Sequence, residues 1–404
     1  MSTSVFCHAL GIRGYRYVRA ASVGGSLVVQ IEQDTKSCRC SACGGREVVR
    51  RGAVQRSFRC VPLGSKPVRI LLDVPRLACS SCGVVRQAKI AFAEPRVSYT
   101  RTFARYALDL SRHMTILDVA HHLDVSWDVI KEIQRADLTR RFSRPKLKHL
   151  KEIAIDEISV ARGHRYLTVV LDLKSGAVVF VGDGKGAEAL RPFWRRLRAS
   201  GARVKAVAMD MSPAYIEAVK ENLPRAHIVF DHFHVIKLYN EKLSDLRRQV
   251  YQALTDVLQK KILKGTRWLL LKNPENLDDQ KNERERLQEA LDLNMPLYTA
   301  YYMKGLLREL WNQPDKKSAR HHLNSWIAQA STCGIRMLQQ FAKTLAFHRE
   351  GILAYYNHRI STGPLEGTNN KIKTMKRQAY GFRDHNFFKL KILGLHETKY
   401  ALVG

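Results

Sequence analysis

The sequence predicts a multidomain α+β protein: an N-terminal zinc-binding module, a helix-turn-helix domain, and a core of strands and helices that carries an all-helical insertion. Three observations carry this prediction. Two Cys-x-x-Cys-Gly turns stand near the N-terminus. The apolar period switches from helical to strand spacing at Lys151. A stretch rich in helix formers then separates the strand-rich segment from a basic C-terminal motif. The expected boundaries are 1–98 for the zinc-binding module, 99–145 for the helix-turn-helix domain and 146–239 for the first part of the core. The helical insertion is expected over 240–350, and the C-terminal part of the core, carrying Glu366, over 351–404.

The chain has 404 residues, with 68 Lys+Arg against 37 Asp+Glu and a net charge of +31. Residues 1–150 hold 26 basic against 11 acidic side chains (+15) and the remainder 42 against 26 (+16), so the excess is not a basic tail on a neutral domain. Such a charge speaks to partners rather than to fold. Nucleic acid leads, because Lys and Arg gain affinity by releasing counterions from phosphates; an anionic membrane surface is the competing partner. No apolar run approaches the ~20 residues of a membrane span, and Arg13, Arg16 and Arg19 break any signal-peptide pattern. A cytoplasmic protein is expected. In a reducing compartment its eight cysteines are expected to include metal ligands rather than disulfides.

The cysteines fall in a pattern. Cys40-Ser41-Ala42-Cys43-Gly44 and Cys79-Ser80-Ser81-Cys82-Gly83 are two knuckles able to supply four thiolates in tetrahedral geometry, with glycines relieving the tight turns. Strand-like segments at Ser57–Val61 and Val68–Leu72 lie between them and bring them together. Buried reduced thiols are the alternative, and Cys38 and Cys60 compete as ligands, whereas Cys7 and Cys333 read as ordinary thiols. Arg39, Arg46, Arg50, Arg51, Arg56 and Arg59 surround the knuckles, as expected of a zinc module laid on a DNA backbone.

Residues 115–133 read as helix, tight turn, helix. Leu117, Ala120 and Leu123 are expected on one apolar face, with Val125 in the turn, Ser126 as N-cap, and Val129, Ile130 and Ile133 facing back. Asp124 takes the turn position where Gly is common, which Asp tolerates better than most residues. The second helix offers Ser126, Trp127, Asp128, Lys131 and Arg135 to a major groove. A two-helix core fragment without special role is the competing reading. The basic run from Arg140 to Lys146 reads as a linker.

From Lys151 the predicted order is strands Glu152–Val160, Arg165–Leu173 and Ala177–Val181, helix Ala187–Ala199, strand Val204–Met209, helix Pro213–Asn222, strand His227–Phe230 and a long helix from about Phe233. The first three strands are joined by Gly-containing turns, Arg162-Gly163-His164 and Lys174-Ser175-Gly176. This βββαβαβα order is that of a ribonuclease-H-like core. It sets Asp156 midway along the first strand and Asp210 at the end of the adjacent fourth, and it calls for a third acid from a late helix. Asp156, Asp210 and Glu366 are the candidates. Hard carboxylate oxygens suit Mg²⁺ or Mn²⁺, and two bridged ions serve phosphoryl transfer by activating a nucleophile and stabilising the leaving oxygen. Each acid alone also reads as a strand-end carboxylate, as Asp172 and Glu157 do. Gly182-Asp183-Gly184-Lys185-Gly186 lacks the P-loop pattern, which disfavours a nucleotide-driven motor.

Several segments carry a resemblance: Ile155-Asp156-Glu157, Ala208-Met209-Asp210-Met211-Ser212-Pro213-Ala214-Tyr215, Asp231-His232-Phe233-His234-Val235, Ser361-Thr362-Gly363-Pro364-Leu365-Glu366-Gly367-Thr368-Asn369-Asn370-Lys371-Ile372-Lys373, and Arg377-Gln378-Ala379-Tyr380-Gly381-Phe382-Arg383. Together they resemble the DDE transposases of bacterial insertion sequences, specifically the ISL-three family, over nearly the whole chain. The resemblance implies that Asp156, Asp210 and Glu366 form the metal-binding catalytic triad and that Cys40, Cys43, Cys79 and Cys82 bind structural zinc. It further implies an enzyme that binds the terminal inverted repeats of its element in the bacterial cytosol, cleaves there and transfers strands into target DNA, as a homodimer or larger synaptic complex. Asp231 and His234 look similar to a D-x-x-H element of other transposases and are auxiliary positions, either bracing the site or merely ending a strand and capping a helix.

In the insertion, breaks are expected at Asn273-Pro274, Met295-Pro296 and Gln313-Pro314. Lys260, Lys261, Lys264, Arg267, Lys272 and Trp268 are DNA-contact candidates, while Trp311 and Trp326 read as core. On the Glu366 helix, Asn369, Asn370, Lys373, Lys376 and Arg377 recur at three- and four-residue steps, and with Arg383 they are candidates for the DNA backbone. Two other classes stay open: a structure-specific nuclease of the same fold, which needs no sequence-reading modules, and a domesticated DNA-binding regulator, which the intact triad argues against.

Overall fold

The computed structural model describes residues 10–34, 38–161 and 165–396; Cys7 and the turn at residues 162–164 lie outside them. The chain forms two compact units, Met1–Arg140 and Arg141–Gly404.

The first unit holds strands β1 (Tyr15–Val23), β2 (Ser26–Gln33), β3 (Val48–Leu63), β4 (Lys66–Cys79) and β5 (Val85–Gln87). They form one sheet in the order β1-β2-β4-β3, with β5 on β4. Only β2 and β4 run parallel. The two strand-like segments expected between the knuckles are thus parts of longer strands. Alternating inward residues Phe58, Val68, Ile70 and Leu72 build the core with Val29, Ile31 and Phe92.

Helices α1 (Arg101–Leu110), α2 (Ile116–His122) and α3 (Trp127–Phe142) follow. Thr100 starts α1, its hydroxyl accepting from the Phe103 N–H at 3.1 Å. Thr115 and Asp118 form a reciprocal capping box on α2. The turn between α2 and α3 has Asp124 at φ 49°, as the residue type predicts. Ala120, Leu123, Ile130 and Ile133 are buried together with Phe103. Leu117 departs from expectation: it is 54% exposed, while Val119 is fully buried. The inward stripe of this short helix runs Ile116, Val119, Ala120, Leu123, and Leu117 is turned about 100° away from it. Arg59 of β3 fastens the turn to the sheet, donating to the Leu123 carbonyl at 2.6 Å and lying 3.7 Å from Asp124.

The second unit begins with β6 (Glu152–Ala161), β7 (Arg165–Asp172) and β8 (Val178–Asp183), then α4 (Ala187–Ser200), β9 (Ala206–Met209), α5 (Pro213–Asn222) and β10 (His227–Phe230). The sheet order is β10-β9-β6-β7-β8. The β6–β7 and β7–β8 pairs are antiparallel, and β9 is parallel to both β6 and β10. This is the predicted ribonuclease-H-like core.

α6 (His232–Ala253) is the last helix of the predicted order and runs on into the helical insertion, which continues as α7 (Val257–Lys264), α8 (Arg267–Leu271), α9 (Glu283–Asp292), α10 (Met295–Arg308), α11 (Lys316–Thr332), α12 (Arg336–Phe347) and α13 (Arg349–Leu353). Its core is centred on Tyr239, Trp326 and Phe341, packed edge to face. The polar tips are satisfied, since Tyr239 donates to Ala300 O and Trp326 to Met303 O. Trp326 is core as predicted; Trp311 is half-buried and Trp268 exposed. The chain returns to the sheet as α14 (Gly363–Gln378) and α15 (His385–Leu393).

The two sheet faces are covered differently. Ile153, Ile155, Val207 and Met209 point to α4 and α5, meeting Phe193, Trp194, Leu197 and Tyr215. Ala154, Ile158 and Ala208 point to the opposite face, where Leu365, Ile372 and Phe388 of α14 and α15 close over them. α13 reaches the sheet through a tight contact: a Cβ at Gly351 would stand 2.3 Å from the Phe230 ring. Phe230 is 4% exposed and packed in the hydrophobic core of this unit. Gly351→Ala is therefore expected to destabilise the second unit by about 1–3 kcal/mol through overpacking, read as a lowered urea midpoint. An unchanged midpoint would show that this contact yields.

Candidate active site and metal centre

The four knuckle cysteines meet. Their sulfurs all lie within 4.8 Å of one another, with Cys40 3.7 Å from Cys82 and Cys43 3.6 Å from Cys79. Each knuckle is a tight turn closed by a glycine N–H: Gly44 donates to Cys40 O and Gly83 to Cys79 O, both at 2.9 Å. Both glycines have positive φ. Gly45 matters for a different reason, since a Cβ there would lie 3.3 Å from the Cys43 sulfur. Backbone N–H groups of Cys43 and Ala42 draw the Cys40 thiol down to about 6. Against the lowering effect of the Val84 N–H, the neighbouring Cys43 sulfur, burial and the other two thiols push Cys82 up to about 12. Four sulfurs packed this closely cannot all be thiolates without a cation among them, and soft tetrahedral sulfur suits zinc. The competing cysteines stand apart. Cys38 is buried against Leu77 and Ala88, and Cys60 is buried with its thiol facing Leu10 O, Thr100 and Thr102.

On the sheet, register brings two acids together. Glu152, Ile153 and Ala154 of β6 pair with Ala206, Val207 and Ala208 of β9. Two residues further, Asp156 and Asp210 are level with each other. Alternation along the strands turns both toward the face covered by α14, whereas Glu157 takes the other parity. One oxygen of Asp156 accepts from the Glu157 N–H at 2.8 Å, and the other accepts from the Asn369 side-chain amide of α14, also at 2.8 Å. Burial pushes the Asp156 carboxyl up to about 6; the Glu157 N–H and the nearby His234 imidazole oppose this, and the Asp210 charge adds to it. Asp210 accepts from the Ser212 N–H at 3.0 Å, closing the turn into α5.

Glu366 lies in the first turn of α14 and is exposed. Three residues on, Asn369 is only 5% exposed, and its carbonyl oxygen is buried without a hydrogen-bond partner. Among the described residues the cysteines are the one set of three or more metal-ligating side chains gathered within 4.8 Å. The three carboxylates are not drawn to that distance.

Asp231 shows how α14 is held. It is 2% exposed and caps α6, accepting from the Phe233 N–H at 2.9 Å. Its second oxygen accepts from the Thr362 N–H at 2.6 Å and from the Thr362 hydroxyl. Thr362 immediately precedes α14, and its carbonyl accepts from the Glu366 N–H at 2.8 Å. Although burial opposes it, the hydrogen bonds from His232, Thr362 and Phe233 hold the Asp231 carboxyl well below the ordinary range. Sequence reasoning singled out Asp231 but missed Thr362, and it placed Asn369 on the acid's helix face without its bond to Asp156. Their only local signal is the spacing around Glu366.

The predicted DNA-facing residues are at the surface. Ser126 and Trp127 open α3 exposed, and the Lys131 ammonium lies 5.3 Å from the Trp127 ring centre. Arg135 is paired with Glu132 at 2.9 Å. Asn370, Lys373, Arg377 and Arg383 are exposed and Lys376 is half-buried. Among the described residues no helix is long and apolar enough to cross a membrane.

The chain is similar to known proteins over most of its length. A family described as "Transposase" matches residues 153–392, a "Helix-turn-helix domain of transposase family ISL3" matches 88–136, and a "zinc-finger of transposase IS204/IS1001/IS1096/IS1165" matches 36–82. The transposase for insertion sequence element IS1001 of Bordetella parapertussis is 35% identical over 374 residues, 91% of each chain. The transposase for insertion sequence element IS1557 of Mycobacterium tuberculosis is 29% identical over 372 residues, covering 85% of this chain and 82% of the relative. The Drosophila P element transposase strand transfer complex aligns with a TM-score of 0.38 at 12% identity, over 76% of this chain and 92% of that one, too distant a likeness to carry an argument. Matched through its zinc finger, its helix-turn-helix and its core in that order, the chain belongs to the ISL3 family of transposases.

Proposed function

We propose that this transposase binds the terminal inverted repeats of its own insertion sequence, cleaves at the transposon ends, and joins the freed 3′-hydroxyls to target DNA at a single two-metal site. The observation that carries the reading is the meeting of Asp156 and Asp210 on the sheet face covered by the Glu366 helix, with Asn369 of that helix bonded to Asp156. Asp156, Asp210 and Glu366 are the proposed holders of Mg²⁺ or Mn²⁺. Their donors are all hard oxygens, and Asp156, buried beside a second acid, is a carboxylate that a cation would stabilise. When bound, such ions activate the attacking oxygen and stabilise the leaving one.

The chain's own groups do the rest. Asn369 fixes the rotamer of Asp156 and presents a buried acceptor to a donor in the site. The His234 imidazole lies close enough to act on the Asp156 charge. Asp231 acts through Thr362 as a positioning residue for Glu366. Asn370, Lys373, Lys376, Arg377 and Arg383 line the approach for phosphates, while Ser126, Trp127, Lys131 and Arg135 face the groove at the ends. Cys40, Cys43, Cys79 and Cys82 are the proposed zinc ligands. Cutting two ends together calls for a homodimer or larger synaptic complex, acting on DNA in the cytosol.

Three outcomes follow. With Mg²⁺ and DNA carrying the inverted repeats that bracket the gene, Asp210→Ala is expected to lower cleavage by roughly 10³-fold, the size of several kcal/mol of lost transition-state stabilisation. Equal cleavage by wild type and variant sinks the triad. Chelation, or Cys79→Ser, is expected to release one zinc per chain, seen by elemental analysis, and to weaken end binding; retained zinc in the Cys79 variant argues against these ligands. Asp231→Asn is expected to cost about 1.5–3 kcal/mol, measured by urea denaturation. Because this carboxyl is held below its ordinary value, its contribution is full above the unfolded pKa near 3.8 and is lost as pH falls further. A variant as stable as wild type at neutral pH refutes the brace.

A further inference from the structure

We propose that Tyr380 is a stacking platform for an unpaired nucleobase of the DNA held at this active site, an inference that rests on the transposase reading above.

The argument starts from backbone strain. α14 ends in a Schellman-type closure: the Tyr380 N–H donates to Arg377 O at 3.0 Å, and the Gly381 N–H donates to Lys376 O at 2.9 Å. The residue between these bonds must be left-handed, and Tyr380 has φ 50°. Helices that close this way usually place glycine there, because a Cβ is disfavoured in that conformation. Here the glycine stands one position late, as Gly381 with φ 101°. Packing does not explain the tyrosine, whose side chain is 100% exposed. Strain that no burial offsets points to a use outside the folded chain.

The mount is firm on both sides. Helix α14 precedes it. Phe382 follows and stacks on Phe388 with ring centroids 4.5 Å apart and planes 20° apart, at the edge of the core under the sheet. The phenol ring is thus held outward by fixed backbone rather than by a loose loop.

The surroundings select the partner. From Gly367 to Arg383 there is no acid, and Lys371, Lys373, Lys376, Arg377 and Arg383 supply cations. An exposed aromatic ring among these cations fits a polyanion whose bases offer π-faces, and such stacking tolerates any base. The same helix carries Glu366 and Asn369, so the platform has a defined reach. Fourteen residues separate Glu366 from Tyr380, about 20 Å of helix or the rise of about six stacked base pairs. The stacked base should then lie within about six nucleotides of the cleaved phosphate.

The test uses the full-length protein and duplexes carrying the transposon end, with 2-aminopurine placed singly at each of those positions. Wild type and Tyr380→Phe are expected to raise emission at one position, where the base leaves the duplex stack; Tyr380→Ala and Tyr380→Gly should not, and should bind the ends about tenfold more weakly. Tyr380→Gly should also raise Tm by about 2–4 °C, since it relieves the strained position. Emission from the Ala and Gly variants matching wild type everywhere overturns the proposal, as does loss of self-association with the base signal unchanged. If these variants match a wild type that does cut the ends, only this inference falls. A wild type that neither cuts nor unstacks them overturns the transposase reading as well.

Discussion

The parallel ladder between β6 and β9 is the constraint on which the catalytic half depends. Asp156 and Asp210 belong to different strands, and only one register sets them level. A slip of one residue would turn one of them to the opposite face, against the apolar helices α4 and α5. The apolar residues on either side of each acid enforce the register, since Ile153, Ile155, Val207 and Met209 need one face and Ala154, Ile158 and Ala208 the other. Ordinary burial of aliphatic side chains thereby aims two carboxylates. The third acid has no strand to place it, and its position rests on hydrogen bonds: Asp231 to Thr362, Thr362 to the Glu366 N–H, and Asn369 to Asp156.

The two units solve the same electrostatic problem with different ligands. In the first, four sulfurs crowd together at the ends of strands and turns, so that the sheet delivers Cys79 directly from β4. In the second, two carboxylates approach each other in a partly buried setting and Asp156 resists ionisation. Both arrangements are unfavourable as bare anions, and the proposed cations, one among soft sulfurs and one among hard oxygens, would relieve them. The surrounding excess of Lys and Arg serves a separate purpose, attraction of a polyanion.

Much of this was legible in the sequence, because local chemistry dictated it. Paired Cys-x-x-Cys spacing fixed the sulfur cluster, Asp124 announced a left-handed turn, and the alternation of strands and helices gave the sheet order with its two aspartates adjacent. What escaped was either a matter of rotation or long-range. Helix α2 is so short that the pattern did not distinguish Leu117 from Val119 as its inward residue, and the structure chose Val119. The Asp231–Thr362 and Asn369–Asp156 contacts join residues far apart in sequence, and no periodicity reports them. Tyr380 was hidden for another reason: a Gly at 381 leads one to expect the left-handed position there, whereas the helix closes one residue earlier.

The clasp between Asp231 and Thr362 has a consequence for how such a chain can change. Nearly all of the helical insertion lies between these two residues, which are in direct contact. Both ends of the insertion are therefore tied at one point of the core. For a loop so closed, each doubling of length adds only about 0.6 kcal/mol of closure entropy. Helices beyond the clasp can be lengthened, lost or exchanged over evolutionary time without carrying Glu366 away from the sheet. The core can keep its geometry while the appendage varies.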